Sequence, residues 1–320
     1  MPTRALVLSL VLTAAGLWSL AGCASSSSPH PDIAPTPLAD IDARALPLVD
    51  GRTGQALTWQ SLIAAASGAD AILVGEVHNH AAGQAFEAAF FADILSAAPT
   101  AAAALEFYDR DNQAAMDDYL TGVVSPHEFR RLTGRNQGDD CPGHRAMIDA
   151  CKEHQRPAVA ANAPRRYVKV ARTDGYDRLA ALLPEQRRLY RIPDRLPEGR
   201  YRDDFFELMR ADNADAAHKD MDESRIQGMF RAQGLWDWTM ADSVARTIDN
   251  TARPARPVVL IVGKFHTDHD GGLAQALRAL RPGSRLYIVS LENETKPPLS
   301  DELKGVADAV VYLGEEHEAG

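Results

Sequence analysis

The sequence predicts an α/β fold: a mostly parallel central sheet covered by helices, with a smaller helical subdomain. Three observations lead to it. Short uncharged apolar runs, such as "AILVG" at residues 71–75 and "PVVLIVG" at 257–263, suit strands buried on both faces. Between them lie stretches whose apolar residues recur at helical spacing. One tract, residues 184–230, has no strand signal and is rich in Arg, Asp, Glu and Met.

Taken in order, residues 71–75 form the first strand, and Gly83–Ala97 a helix with Phe86, Phe90, Ile94 and Ala97 on one face. Ala101–Phe107 reads as a strand by position, although alanine is a poor strand former. Asn112–Leu120 and Ser125–Leu132 are helices, the second opened by Ser-Pro. Gly143–His154 is a helix, Pro157–Ala161 a strand, and Pro164–Arg172 a helix with proline in its first turn. The helical insertion, about residues 184–232, comes next, then a helix at Gly234–Asp249 bearing Trp236, Met240, Val244 and Ile248. Pro257–Gly263 is a strand, Gly272–Leu280 a helix, Arg285–Leu291 a strand and Ala309–Leu313 a last strand.

The ends of the chain read differently. Residues 5–20 are apolar behind Arg4 and close with Leu20-Ala21-Gly22-Cys23, which resembles a bacterial lipobox. Residues 1–22 are thus expected to be a lipoprotein signal peptide, with Cys23 the lipidated residue. Ala24 rather than Asp after it favours the outer membrane, on its periplasmic side. Residues 23–40 are Ser- and Pro-rich and suit a flexible tether, with the folded domain at 41–320. Removing residues 1–22 takes away Arg4 alone and moves the formal charge from −10 to −11. So acidic a chain is a poor ligand for nucleic acid. No other segment reads as a membrane span, so the lipid is the expected membrane contact. Cys141 and Cys151 remain, and an oxidising envelope permits a bridge. Yet a helix between them opposes it, and the pairing stays open.

Polar and ionisable residues follow each apolar run: "LVGEVHNH", "AALEFYDR", "AVAANAPRR" and "LIVGKFHTDHDGG". In an open parallel sheet these ends share one rim, and ligands bind in the crevice beyond it. Glu76, His78, Glu106, Asn162, Arg165 and His266 would then converge. Two of the ends repeat Gly-x-x-His, Gly75 to His78 and Gly263 to His266, and glycine there permits a sharp turn.

With "ALEFYDRDNQ", "AVAANAPRRYVKVARTDG" and "AQGLWDWTMADSVA", these motifs make the chain resemble the ChaN-like haem-binding lipoproteins. That family lies in the Tiki/TraB superfamily, whose branches include metal-dependent proteases and erythromycin-esterase-like enzymes. The likeness spans about Ala71 to Leu291. It implies a haem-binding envelope lipoprotein of iron uptake, with haem held between two copies. It also implies an axial tyrosine near the start of the helix before the third strand. Here that neighbourhood reads "CPGHRAMIDACKEHQ", with His144 and no tyrosine.

Haem needs an axial ligand, an apolar slot and donors for its propionates. His144 is the first candidate ligand and Tyr108 the second, with Phe107, Tyr108 and Phe265 for the slot. Arg110, Arg165, Arg166 and Lys264 are candidates for the propionates, since guanidinium grips carboxylate with paired hydrogen bonds. Each is equally readable as a solvated surface cation, and His144 as an exposed first-turn residue. The competing reading is a metal-dependent hydrolase. Glu76, His78, Glu106 and His266 would hold Zn, Mn or Co, one glutamate would act as base, and Asn162 or Arg165 would steady an oxyanion. The plainer alternative is that these groups only satisfy the strand ends. His80 and His269 are weaker candidates, and His127, His154, His218 and His317 read as surface residues. Trp236, Trp238 and Met240 read as helix packing.

Overall fold

A computed structural model describes residues 37–135, 141–211, 222–294 and 297–314. The expected signal peptide, Cys23, most of the tether, His218 and His317 lie outside the described residues. In chain order the strands are β1 (Leu48–Asp50), β2 (Ala71–Glu76), β3 (Ala102–Asp109), β4 (Ala158–Asn162), β5 (Val258–Gly263), β6 (Leu286–Glu292) and β7 (Ala309–Tyr312). They form one sheet in the order β1-β7-β6-β2-β5-β3-β4. Every pairing is parallel except β1 with β7.

The helices are α1 (Trp59–Ser67), α2 (Ala81–Ala97), α3 (Gln113–Leu120), α4 (Pro126–Leu132), α5 (Pro142–Glu153) and α6 (Arg165–Thr173). After them come α7 (Tyr176–Ala180), α8 (Pro184–Arg187), α9 (Arg200–Ala211), α10 (Glu223–Asp249) and α11 (Gly272–Leu280). The expected α/β fold is present. Among the described residues no helix is long and apolar enough to cross a membrane.

The two central strands show why the runs carry no charge. Every residue of β2 and β5 is buried. Ile72, Val74, Val259 and Ile261 face one core with Phe86, Phe90, Ile94 and Met147. Leu73, Val258, Leu260 and Val262 face the other, with Met240, Val244, Leu273 and Leu277. The period of two thus serves two apolar layers at once. Each such large side chain contributes about 1.5–3 kcal/mol by leaving water.

Several boundaries depart from expectation for local reasons. β1 is too short to show alternation, and α1 is announced mainly by its capping box, in which Thr58 and Ser61 each accept the other's backbone N–H. α2 starts two residues before Gly83, with His80 as its cap: Nδ1 accepts from the Gly83 N–H at 3.4 Å. α10 begins at Glu223 rather than Gly234, capped by Asp222. Gly234 lies inside it because a Cβ there would come 2.8 Å from Leu196 Cδ2 and 3.0 Å from the Tyr176 hydroxyl. The last part of the expected helical insertion, from Glu223, is therefore continuous with α10. Over its first turns Tyr201, Phe205 and Phe206 of α9 pack on Ile226 and Phe230. Cys141 and Cys151 are both free thiols. They stand at opposite ends of α5, about 15 Å apart at 1.5 Å rise per residue, and Cys151 donates to the Pro157 carbonyl at 3.2 Å.

Candidate functional site

Because β2, β5, β3 and β4 are parallel neighbours, their carboxyl ends open on one rim. At that rim the two Gly-x-x-His motifs interlock. A Cβ on Gly75 would come 2.5 Å from Thr267 Oγ1 and 2.9 Å from Lys264 Cα. A Cβ on Gly263 would come 2.9 Å from His78 Nε2 and 3.0 Å from its Cε1. Each motif's glycine makes room for the other motif. Neither has a positive φ, so the glycines permit close approach rather than the sharp turn expected of them.

Each motif histidine is backed by a carboxylate. His78 Nδ1 lies 2.7 Å from Glu76 Oε1, and this bond holds its pKa above the ordinary histidine value. His266 Nδ1 lies 2.6 Å from Oδ1 of Asp237, whose other oxygen accepts from the Tyr201 hydroxyl at 2.8 Å. Burial pushes the His266 pKa down, but the Asp237 charge overrides it and leaves it raised. Glu106 sits beside both imidazoles. Its Oε2 accepts from the Gly263 N–H at 2.7 Å, and its Oε1 is 3.6 Å from His266 Nε2. Anchoring Nδ1 fixes each ring. It leaves Nε2 of His78 as the working atom, able to ligate a metal or move a proton, whereas Nε2 of His266 lies 3.3 Å from the Gln233 side-chain amide.

Behind this mouth lies a second cluster. His144 Nε2 is 2.8 Å from Glu76 Oε2 and 3.5 Å from Glu87 Oε2. Burial alone would raise the Glu76 pKa, yet the charge of His144 and bonds from both histidines hold it well below the usual carboxylate range. Glu87 is driven well above that range, by burial first and then by the charge on Glu76. His144 stays raised despite burial, chiefly through Glu76.

The other candidates occupy various settings. His144 is 1% exposed at the foot of the site, so it is not presented to a ligand at the mouth, and neither is it a water-exposed first-turn residue. Tyr108 is buried, its ring stacked on Phe129 at 5.7 Å. Arg110 is turned inward: Nε donates to Ser243 Oγ at 2.9 Å, and Nη2 to the Thr239 carbonyl at 2.8 Å and to Asp242 at 2.7 Å. No donor face is left for a propionate. Lys264 pairs with Glu292, and Arg166 with Asp111. Arg165 is exposed at the first turn of α6. Beside it Asp109 is pushed up to about 6 by burial and by Asp111, against donation from the Arg165 backbone. Asn162 is buried and accepts from the Ala163 N–H.

The four expected metal ligands do not surround one point: Glu76 stands behind His78 on Nδ1, not beside its Nε2. Among the described residues one trio alone, Glu76, Glu87 and His144, brings possible ligand atoms within 4.8 Å of one another. His80 is spent on its cap and on the Gly314 carbonyl. His269 donates its backbone N–H to Val306 from a left-handed φ of 53°. Glu87, Asp237 and Tyr201 were not anticipated. For Glu87 and Asp237 the signal is a lone carboxylate in an apolar stretch, "QAFEAAFF" and "LWDWTM"; Tyr201 carries no such signal.

Residues 62–277 match the family model described as haem-binding uptake, Tiki superfamily, ChaN. Among solved structures the chain is similar to ChaN of Campylobacter jejuni, described with cofacial heme binding. The TM-score is 0.61 at 16% identity, covering 83% of this chain and 96% of that one. It also matches the type III effector HopBA1 (TM-score 0.44, 10% identity, 86% of this chain and 99% of that one). A third match is a mutant of the erythromycin esterase EreC in its open conformation (TM-score 0.43, 13% identity, 76% of each chain). No curated protein sequence matches the chain. With most of its length matched by the family model, the chain belongs to the ChaN family of haem-binding uptake proteins in the Tiki superfamily.

Proposed function

We propose that this chain binds haem at the mouth of the strand-end site and serves haem uptake from the cell envelope. The observation that carries the reading is His78. Its side chain is 52% exposed, its Nδ1 is fixed by Glu76, and its Nε2 takes no hydrogen bond from the described residues. An imidazole anchored in this way is a strong axial donor, and haem supplies the iron it would meet.

The surroundings fit. The Phe107 ring lies 5.3 Å from that of His78 and offers an apolar wall. The Arg135 guanidinium sits over Phe107 at 5.1 Å. With exposed Arg165 it supplies two cations for propionates. His78 thus replaces His144 and Tyr108 as the proposed ligand, because both of those are buried. The cofacial heme binding described for ChaN of Campylobacter jejuni suggests that two copies of this chain close over haem. Lipidation at Cys23 would hold the protein on the outer membrane, and labelled fatty acid should enter the natural chain but not Cys23→Ser.

Hemin titration tests the proposal. A saturable Soret band is expected, weakened about tenfold or more, roughly 1.4 kcal/mol, in His78→Ala, with light scattering reporting any dimer. A non-saturable band, or one indifferent to His78→Ala, overturns it.

A second reading rests on the matched His–carboxylate pairs flanking Glu106, which equally suit hydrolysis. Glu106 or one of the two imidazoles would then take a proton from water. Hydrolysis of a model ester at the same rate by the natural protein and by His78→Ala/His266→Ala would remove that reading.

A further inference from the structure

We propose that Glu76, Glu87 and His144 form a second, buried site for a divalent first-row metal ion, distinct from the haem-binding mouth. Three atoms there lack any hydrogen-bond partner although they are sealed from water: both carboxylate oxygens of Glu87, and Nδ1 of His144. Glu87 is 1% exposed, His144 1% and Glu76 4%. Buried polar atoms are nearly always paired, and an unpaired carboxylate is among the costliest exceptions. A cation held between Glu76, Glu87 and His144 Nε2 supplies the partner that the Glu87 carboxylate lacks; Nδ1 lies on the far side of the ring.

The local structure is built to bring the three together. Gly143, in the first turn of α5, lets that helix lie directly on α2, since a Cβ there would come 2.6 Å from both the Gln84 carbonyl and Glu87 Oε2. The next residue is His144, whose Nε2 is delivered between the two glutamates. The ligand atoms all fall within 4.8 Å of one another, close enough for one ion to touch all three. With the protons of Glu87 and His144 released on binding, two carboxylates and a neutral imidazole carry a charge of about −2, which a dication neutralises in a site with little water to screen it. Carboxylate and imidazole donors favour Mn²⁺, Fe²⁺, Co²⁺ or Zn²⁺ over softer ions. The Cys141 thiol adjoins His144 at the outer edge.

The site does not depend on haem binding, and its test is separate. Chelated protein is refolded with Co²⁺ as the probe, and bound metal is read by elemental analysis and by the Co²⁺ visible spectrum. The natural chain should take up about one ion. Glu87→Gln, nearly the same shape, and His144→Asn should each bind about tenfold more weakly or worse, with far-UV circular dichroism unchanged. His266→Ala should keep the ion, because it removes a mouth donor only. No uptake by the natural chain overturns the proposal. So does uptake that survives Glu87→Gln and His144→Asn but is lost in His266→Ala, which would place the ion at the mouth. If one variant fails to fold, the other carries the test.

Discussion

Arg110 separates two accounts of the cationic residues around the site, and Arg110→Met decides between them. If the guanidinium waits for a haem carboxylate, its removal costs haem affinity and little stability. The structure assigns the opposite. Arg110 joins the end of β3 to α10 through Ser243, the Thr239 carbonyl and Asp242, and its side chain is 9% exposed against 13% for Asp242. Breaking a buried pair from one side costs about 3–5 kcal/mol. Asp242 retains Arg246 at 2.9 Å, which argues for the lower end, about 3 kcal/mol. At about 2–4 °C per kcal/mol for a domain of this size, the melting temperature should fall by about 6–12 °C. Thermal melts followed by circular dichroism measure that fall. Hemin titration well below both melting temperatures should show affinities within about twofold, roughly 0.4 kcal/mol. An unchanged melt combined with a tenfold loss of hemin affinity would refute the reasoning.

The glycine pair makes a contrast. Gly75→Ala presses on the Lys264 backbone and should cost about 1–3 kcal/mol in urea unfolding. Gly263→Ala meets the exposed His78 ring, which can swing away, so it should spare stability and weaken the Soret band; equal stability losses would contradict this. Asp237→Asn removes the charge that raises His266, so the ring should titrate lower by NMR, and a midpoint that stays put would exonerate Asp237. Asp109, pushed up to about 6 from an ordinary 3.8, holds a proton in the folded state that the unfolded chain has released. Its contribution to stability should therefore fall as pH rises from about 4 to 6, and Asp109→Asn should flatten that part of the urea-midpoint profile.

Much of the site was legible because strand-end chemistry is local. A buried apolar run that breaks into Gly-Glu-Val-His must end where something polar is wanted, and the same break after "PVVLIVG" doubles the signal. Parallel order then brings Glu76, His78, Glu106 and His266 to one rim without any knowledge of side-chain directions. Those directions were the part that sequence does not carry. His144 reads as an exposed first-turn residue or a ligand, and only the docking of α5 on α2 through Gly143 shows it facing two glutamates. Arg110 sits beyond a strand end like any rim cation, yet its partners come from α10, more than a hundred residues later. Glu87 and Asp237 were hidden for the converse reason. Each lies in an apolar helix where one carboxylate looks like a solvated exception, until the helix proves buried on that side too.

Glu76 ties the two halves of the site together, and this has a measurable consequence. Its Oε1 accepts from His78 at the mouth while its Oε2 faces His144 in the interior. A cation bound among Glu76, Glu87 and His144 would draw negative charge from the same carboxylate that strengthens His78 as a donor. His78 should then hold haem iron less tightly when the inner ion is present. Linkage makes the effect reciprocal: haem at the mouth must weaken the inner ion by the same factor. Through one shared carboxylate the coupling should be modest, about 1 kcal/mol, or about fivefold in hemin affinity. Hemin titrations of chelated protein, with and without saturating Mn²⁺, measure it directly. In Glu87→Gln the difference should vanish, because the ion no longer binds. Identical hemin affinities in the presence and absence of bound Mn²⁺ would show that Glu76 transmits nothing between its two oxygens.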